Sequence, residues 1–190
     1  MKRIFHYLYW PLNVLLLTMN RVVYKDFRIF GLITVKNQGK LSLGHNVRIN
    51  SSRYANVIGG DTRTSFVVKK GATLQIGDNI SISNAAFYCN SSIIIEDHVM
   101  IGGSCKVWDS DFHPLDPELR KTNPRDNFLT RPIHIKESAF IGGCSIILKG
   151  VTIGKNSIIG AGSVVSRNVP DNEIWAGNPA MFIKKLNGYG

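Results

Sequence analysis

The stretch DSDFHPLDP at residues 109–117 sets one histidine, His113, among three aspartates, Asp109, Asp111 and Asp116. An imidazole titrates near pH 6.5, so such a side chain can accept and return a proton under neutral conditions. Pro114 restricts the backbone of His113, and a neighbouring carboxylate could hold its ring. Proton-transfer chemistry is therefore the first expectation. The other histidines, His6, His45, His98 and His134, form no His-x4-His pair with it or with one another. Cys89, Cys105 and Cys144 contain no Cys-x-x-Cys, and their odd count and wide spacing fit reduced thiols. Neither a zinc centre nor a disulfide framework is expected, and no metal is assigned.

What must position His113 is a repeat. Ile135, Ile141, Ile147, Ile153, Ile159 and Val165 recur at every sixth residue, and Ile95, Ile101 and Val107 keep the same beat upstream. Glycine follows at Gly142, Gly154 and Gly160, and a small residue or valine stands four places on, at Ala139, Ser145, Val151, Ser157 and Ser163. A period of six is not helical, but it contains three alternations of a strand. It suits short strands joined by tight turns, with one aliphatic residue per hexad pointing inward. Three hexads close one triangular coil, and stacked coils bury a continuous aliphatic column. The expected fold is all-β: a parallel β-helix of about five coils over residues 41–168, with a short N-terminal helical segment in 1–40 and an exit segment at 169–190.

The beat stops once. From Val107 to Ile135 is 28 residues where six would continue the coil, so about 22 residues are extruded as a loop at about 109–132. A loop that long, expected to lack structure of its own, usually has a function. His113 stands on it.

The run Ile133–Val165 resembles the hexapeptide-repeat acyltransferases, whose coils wind left-handed. The segment SVVSRNVPDNEIWAGNPAMFIKKL resembles their exit segment, and HPLDPELR at 113–120 is similar to the loop of the maltose and galactoside acetyltransferase branch. DSDFHP resembles relatives that O-acetylate bacterial surface polysaccharides. The similarity covers about residues 72–185.

The resemblance implies a left-handed β-helix and acetyl transfer from acetyl-CoA to a sugar hydroxyl. His113 would be the general base, oriented by Asp111 or Asp109, with Asp111 preferred. Gly143 would supply the oxyanion donor through its main-chain N–H. Phe140, Gly142 and Ala161 would line the pantetheine arm, and Arg167 and Lys184 would meet CoA phosphates. Phe140 replaces a tryptophan common in the family, and Met181 stands where some relatives are basic. Asn84 is the nearest match to an acceptor-binding asparagine, and a plain coil-turn asparagine is its alternative. The family builds its site between neighbouring β-helices of a homotrimer. Transfer to an amine, as on an amino-sugar nucleotide, is the alternative activity, and a non-catalytic β-helix scaffold is the third reading.

Formal net charge is +10, which favours anionic partners. Residues 1–40 hold seven basic residues against the single acid Asp26, so +6 of that excess is N-terminal. Nucleic acid is not expected, because aromatic and basic residues are not interleaved. Residues 4–17 form an apolar run interrupted by His6, Pro11 and Asn13, too short to span a bilayer and without a small-residue cleavage site. It is expected to pack on its own domain or a neighbouring subunit, or to lie at a membrane surface. A cytoplasmic protein, peripheral to the inner membrane face through residues 1–20, is the expected location.

Overall fold

The computed structural model describes residues 2–60, 62–123 and 128–186, with side chains from Tyr7 onward. Part of the extruded loop, 124–127, and the last four residues of the exit segment lie outside the described residues. The chain forms a left-handed parallel β-helix of three sheets. The first sheet stacks Val23–Tyr24, Lys40–Leu43, Thr73–Ile76, Ser92–Ile95, Ile133–Ile135 and Thr152–Ile153. The second stacks Phe27–Gly31, Val47–Ser51, Ser81–Ser83, Met100–Ile101, Phe140–Ile141 and Ile158–Ile159. The third stacks Thr34–Asn37, Ser65–Val68, Ala86–Cys89, Lys106–Trp108, Ile146–Ile147 and Val164–Val165.

The register explains the period of six. Ile29, Ile49, Ile82, Ile101, Ile141 and Ile159 are successive partners in the second sheet, and all are buried. Val35, Phe66, Phe87, Val107, Ile147 and Val165 do the same in the third. The Phe66 and Phe87 rings stack at 5.3 Å between centroids. Each hexad thus contributes one inward side chain per sheet, and burial of these columns is the main stabilising term.

Between the first and second sheets the chain turns through residues of positive φ: Asn46, Asn79, His98, Ser138, Asn156 and Asn172. Asparagine tolerates that conformation better than most residues, which accounts for its recurrence. Coiling begins at Val23 and not near residue 41, giving six coils where the spacing predicts about five. The first coil was hidden because the next is interrupted by an excursion between Ser51 and Ser65 that breaks the beat.

Helix α1, Lys2–Met19, lies on Phe27–Gly31 and Thr34–Asn37, and its Leu17 enters the core at the open end of the column. Asn13 is buried there: its Nδ2 donates to Gly31 O at 2.9 Å, and its Oδ1 accepts from Ile33 N at 3.2 Å. No helix among the described residues is long and apolar enough to cross a membrane.

The described part of the extruded loop has structure of its own. Its neck is zipped by Asp111 N donating to Leu129 O and Arg131 N donating to Asp109 O, both 3.0 Å, around a bridge between Ser110 and Thr130. It also carries helix α2, Pro117–Thr122, capped by Asp116, whose Oδ1 accepts from Glu118 N at 2.7 Å and Leu119 N at 3.2 Å. The expected structureless loop is corrected accordingly. At the other end, Glu173–Ala176 extends the second sheet in parallel and Met181–Lys185 folds back antiparallel to it.

Candidate active site

The corner between the second and third sheets carries a groove of about 550 Å³. Among its walls are Phe140, Gly143 and Ala161, three residues singled out from sequence. Met100 and Ile58 add apolar surface, Gly102 and Gly103 line the corner, and Arg48, Asn50, Asn56, Ser81 and Ser83 form a polar end. The glycines are there for close approach. A Cβ on Gly142 would meet Ala161 N at 2.5 Å, and one on Gly102 would meet Gly143 N at 2.5 Å, so adjacent coils leave no room for a side chain.

Gly142 N donates to Ile159 O at 2.8 Å, whereas the Gly143 N–H donates to no acceptor among the described residues. An unengaged amide at the edge of a partly apolar groove is what stabilising a developing oxyanion requires.

His113 is not at this corner. It leaves the column after Lys106–Trp108 of the third sheet and before Ile133–Ile135 of the first. In one chain the histidine and Gly143 therefore stand at different corners of the prism. His113 is exposed. The preceding Phe112 has a φ of 62° and packs edge-on against Tyr88 at 4.8 Å and Trp108 at 5.8 Å. That left-handed turn, pinned by two aromatic rings, anchors the residue that precedes the histidine.

The two candidate orienting acids behave differently. Asp109 is fully buried and caps the coil below: its carboxylate accepts from Asn90 N and Ser91 N, each at 2.7 Å. Both its oxygens are committed, so it is a structural residue of the loop's base. Asp111 Oδ1 lies 2.5 Å from Lys149 Nζ, while its Oδ2 is buried without a hydrogen-bond partner. Asp111 thus pairs with Lys149, and it stands two positions before the histidine on the loop.

The remaining predicted residues divide as follows. Arg167 is exposed in the turn after Val164–Val165, on the same corner as His113, and Lys184 is exposed on the returning strand of the second sheet. Neither lines the groove. Asn84 is a buried coil-turn residue with a φ of 49°; its Nδ2 donates to Thr62 O at 2.5 Å and its N donates to Asn50 O at 2.8 Å. It fastens the excursion 52–64 and leaves Oδ1 as its one unpartnered polar atom. It borders a neighbouring hollow of about 520 Å³, shared with Thr62, Arg63 and Lys106, and not the groove itself.

No group of three His, Cys, Asp or Glu among the described residues is placed to hold a metal. Burial is the main cause that pushes the Cys89 thiol up to about 12, the nearby Asp109 charge adding to it, and burial likewise pushes Cys105 to about 11. Neither is a nucleophile at neutral pH.

The sequence pattern of the family described as bacterial transferase hexapeptide (six repeats) matches residues 132–167. Those residues carry the family's hexapeptide repeats. It is 34% identical over 145 residues to the galactoside O-acetyltransferase of Lactococcus lactis, a match covering 76% of this chain and 63% of that one. A hexapeptide-repeat acetyltransferase of Vibrio cholerae, solved with acetyl-CoA, has the same fold at a TM-score of 0.59 and 23% identity, with 92% of this chain and 76% of that one covered. A variant of AntD, an N-acyltransferase from Bacillus cereus bound to dTDP-4-amino-4,6-dideoxyglucose and coenzyme A, superposes at a TM-score of 0.67 with 25% identity, over 88% of this chain and 84% of that one.

Two groups of residues in this hexapeptide-repeat chain escaped the sequence reading. The outward ladder Arg48, Ser81, Met100 and Ile158 runs along the second sheet in register with Phe140, its one member named from sequence. Each precedes an inward isoleucine by one residue, so the repeat itself could have identified the groove wall. Lys149 had no such signal. Its partner Asp111 is 38 positions away in sequence, on the extruded loop.

Proposed function

We propose that this hexapeptide-repeat protein is an acetyl-CoA-dependent O-acetyltransferase acting on a sugar hydroxyl, in the assembly of a surface polysaccharide. The single observation that carries the reading is the separation of the parts. Gly143, with an unengaged N–H, lies in one corner groove, and His113 projects from another corner on an ordered loop. A closed trimer with parallel axes brings the loop of one chain to the groove of its neighbour, because cyclic symmetry repeats the same pair of unlike corners around the ring. Arg167 shares the loop's corner, so it would reach the neighbour's groove from the same side.

In that arrangement Phe140 and Met100 flank the pantetheine arm, and Gly142 and Gly143 let it lie against the coil. His113 removes the proton from the acceptor hydroxyl as its oxygen attacks the thioester carbonyl. The Gly143 N–H stabilises the negative oxygen of the tetrahedral intermediate. Collapse breaks the carbon–sulfur bond, and His113 returns its proton to the departing thiolate. The polar end of the groove, with Arg48, Asn50 and Ser83, is left for the acceptor.

Transfer to an amine is the second reading, favoured by the likeness to the Bacillus cereus N-acyltransferase. An acceptor screen pairing each sugar with its amino analogue separates the two. The reading as a whole is tested by calorimetry with acetyl-CoA and by turnover. His113→Ala should keep cofactor affinity while turnover falls by roughly 10² to 10⁴. An unchanged rate would remove His113 from the mechanism.

A further inference from the structure

Helix α1 is amphipathic in the inverted sense. The side chains that hold it to the column are Asn13 and Leu17. Its solvent side shows Leu8, Leu12, Leu15 and Met19, spaced four, three and four residues apart, which makes one continuous stripe on a helix. These four are between 49% and 71% exposed, and Tyr7 and Trp10 are exposed beside them. A lone exposed leucine means little, but an apolar stripe with aromatic neighbours marks a surface that something covers.

We infer that this stripe docks on the surface of an anionic phospholipid bilayer. Charge complementarity selects that occupant. Arg21, Lys25, Arg28 and Lys36 follow the helix on the first coil, and Asp26 is the only acid in residues 1–40. Apolar burial combined with basic residues at the headgroup level is the recipe for an interfacial helix, and attraction to anionic lipid adds with each cation. Geometry points the same way. α1 lies at the open end of the column, against the strands of the first coil, so its outer stripe faces away from the groove. If the proposed trimer holds, three such helices share one end of the assembly and present their stripes to a single plane, which multiplies weak contacts by avidity. The inference uses the trimer only for that gain. Its consequence for function is that the acceptor is presented at a membrane surface.

Vesicle flotation of the full chain tests the docking independently of catalysis. Wild-type protein should float with vesicles of phosphatidylglycerol and phosphatidylcholine, and much less with phosphatidylcholine alone. The exposed-face variant Leu12→Glu with Leu15→Glu should lose about tenfold or more of its bound fraction. Its elution volume and acetyl-CoA affinity should stay those of the wild type, which shows that it folds. Equal flotation of variant and wild type overturns the inference, as does absence of wild-type flotation. A wild-type assembly of two trimers that the variant splits, without lipid binding, would assign the stripe to a second copy and overturn it equally. Loss of acetyl-CoA binding by all forms would instead strike the enzymatic reading and leave the docking standing.

Discussion

Lys149 Nζ lies 2.5 Å from Asp111 Oδ1, and the pair joins the first residues of the extruded loop to the turn of the coil that follows it. A single residue, the aromatic anchor Phe112, separates Asp111 from His113. The ion pair and the Phe112 cluster together fix where the loop departs, and therefore where the histidine points.

Removal of the lysine should be felt in both stability and rate. The pair is largely sequestered, with side chains 25% and 18% exposed, and Asp111 Oδ2 already lacks a partner. Lys149→Ala leaves a poorly solvated carboxylate and should cost about 1–3 kcal/mol in urea denaturation. Turnover should fall while the acetyl-CoA affinity is kept, because the groove lies at another corner. Lys149→Arg should restore part of both. A fall in affinity with unchanged turnover would contradict the positioning role.

Asp109 should act on the fold alone. Its carboxylate receives the N–H groups of Asn90 and Ser91 in a fully buried setting. Asp109→Asn turns an amide NH₂ toward one of those donors and removes the charge assistance, an expected loss of about 2–3 kcal/mol of unfolding free energy in urea denaturation. Where the variant is folded, its dependence of rate on pH should match the wild type.

Cys89 and Cys105 should make the protein weaker in alkali. Their folded values are raised to about 12 and about 11, above the value near 8.5 of an exposed thiol. The folded chain therefore holds more protons than the unfolded chain between those limits. Stability from these two thiols is fully present below about pH 8.5 and is lost as pH rises through the folded values. The melting temperature should decline over that window, and Cys89→Ala with Cys105→Ala should flatten the decline. At pH 8, iodoacetamide should label Cys144, the exposed thiol, well before the other two.

Phe140 should serve the ligand more than the fold. Its ring is 42% exposed beside Met100 in the groove. Phe140→Ala should weaken acetyl-CoA binding by about tenfold in calorimetry, the equivalent of about 1.4 kcal/mol of lost apolar contact. The melting temperature should barely move.

The inward columns were legible because burial imposes one aliphatic residue per hexad, and Ile135 through Val165 show it without interruption. The first coil was not, although Ile29 and Val35 stand six residues apart, because the excursion after Ser51 separates them from the unbroken run downstream. Of the oxyanion and cofactor residues named from sequence, Phe140, Gly143 and Ala161 line one groove, whereas Arg167 and Lys184 lie apart from it. The role of Lys149 was invisible because its meeting with Asp111 depends on the path of a loop, which no local pattern encodes. The separation of His113 from Gly143 was implied by the resemblance, which sets the site between neighbouring β-helices, but the two corners themselves emerge only when the coils close.

The central claim is that the site forms between copies, and mixed oligomers test it most directly. His113→Ala keeps an intact groove, whereas Ala161→Arg fills the groove at an exposed position and keeps the histidine. Each variant alone should be inactive. Co-expressed with different tags and purified as mixed trimers, the two should regain roughly a third of wild-type turnover per site, because each 2:1 ring sets one intact loop against one intact groove. Mixed trimers as inactive as their parents would place both parts in one chain and contradict the account.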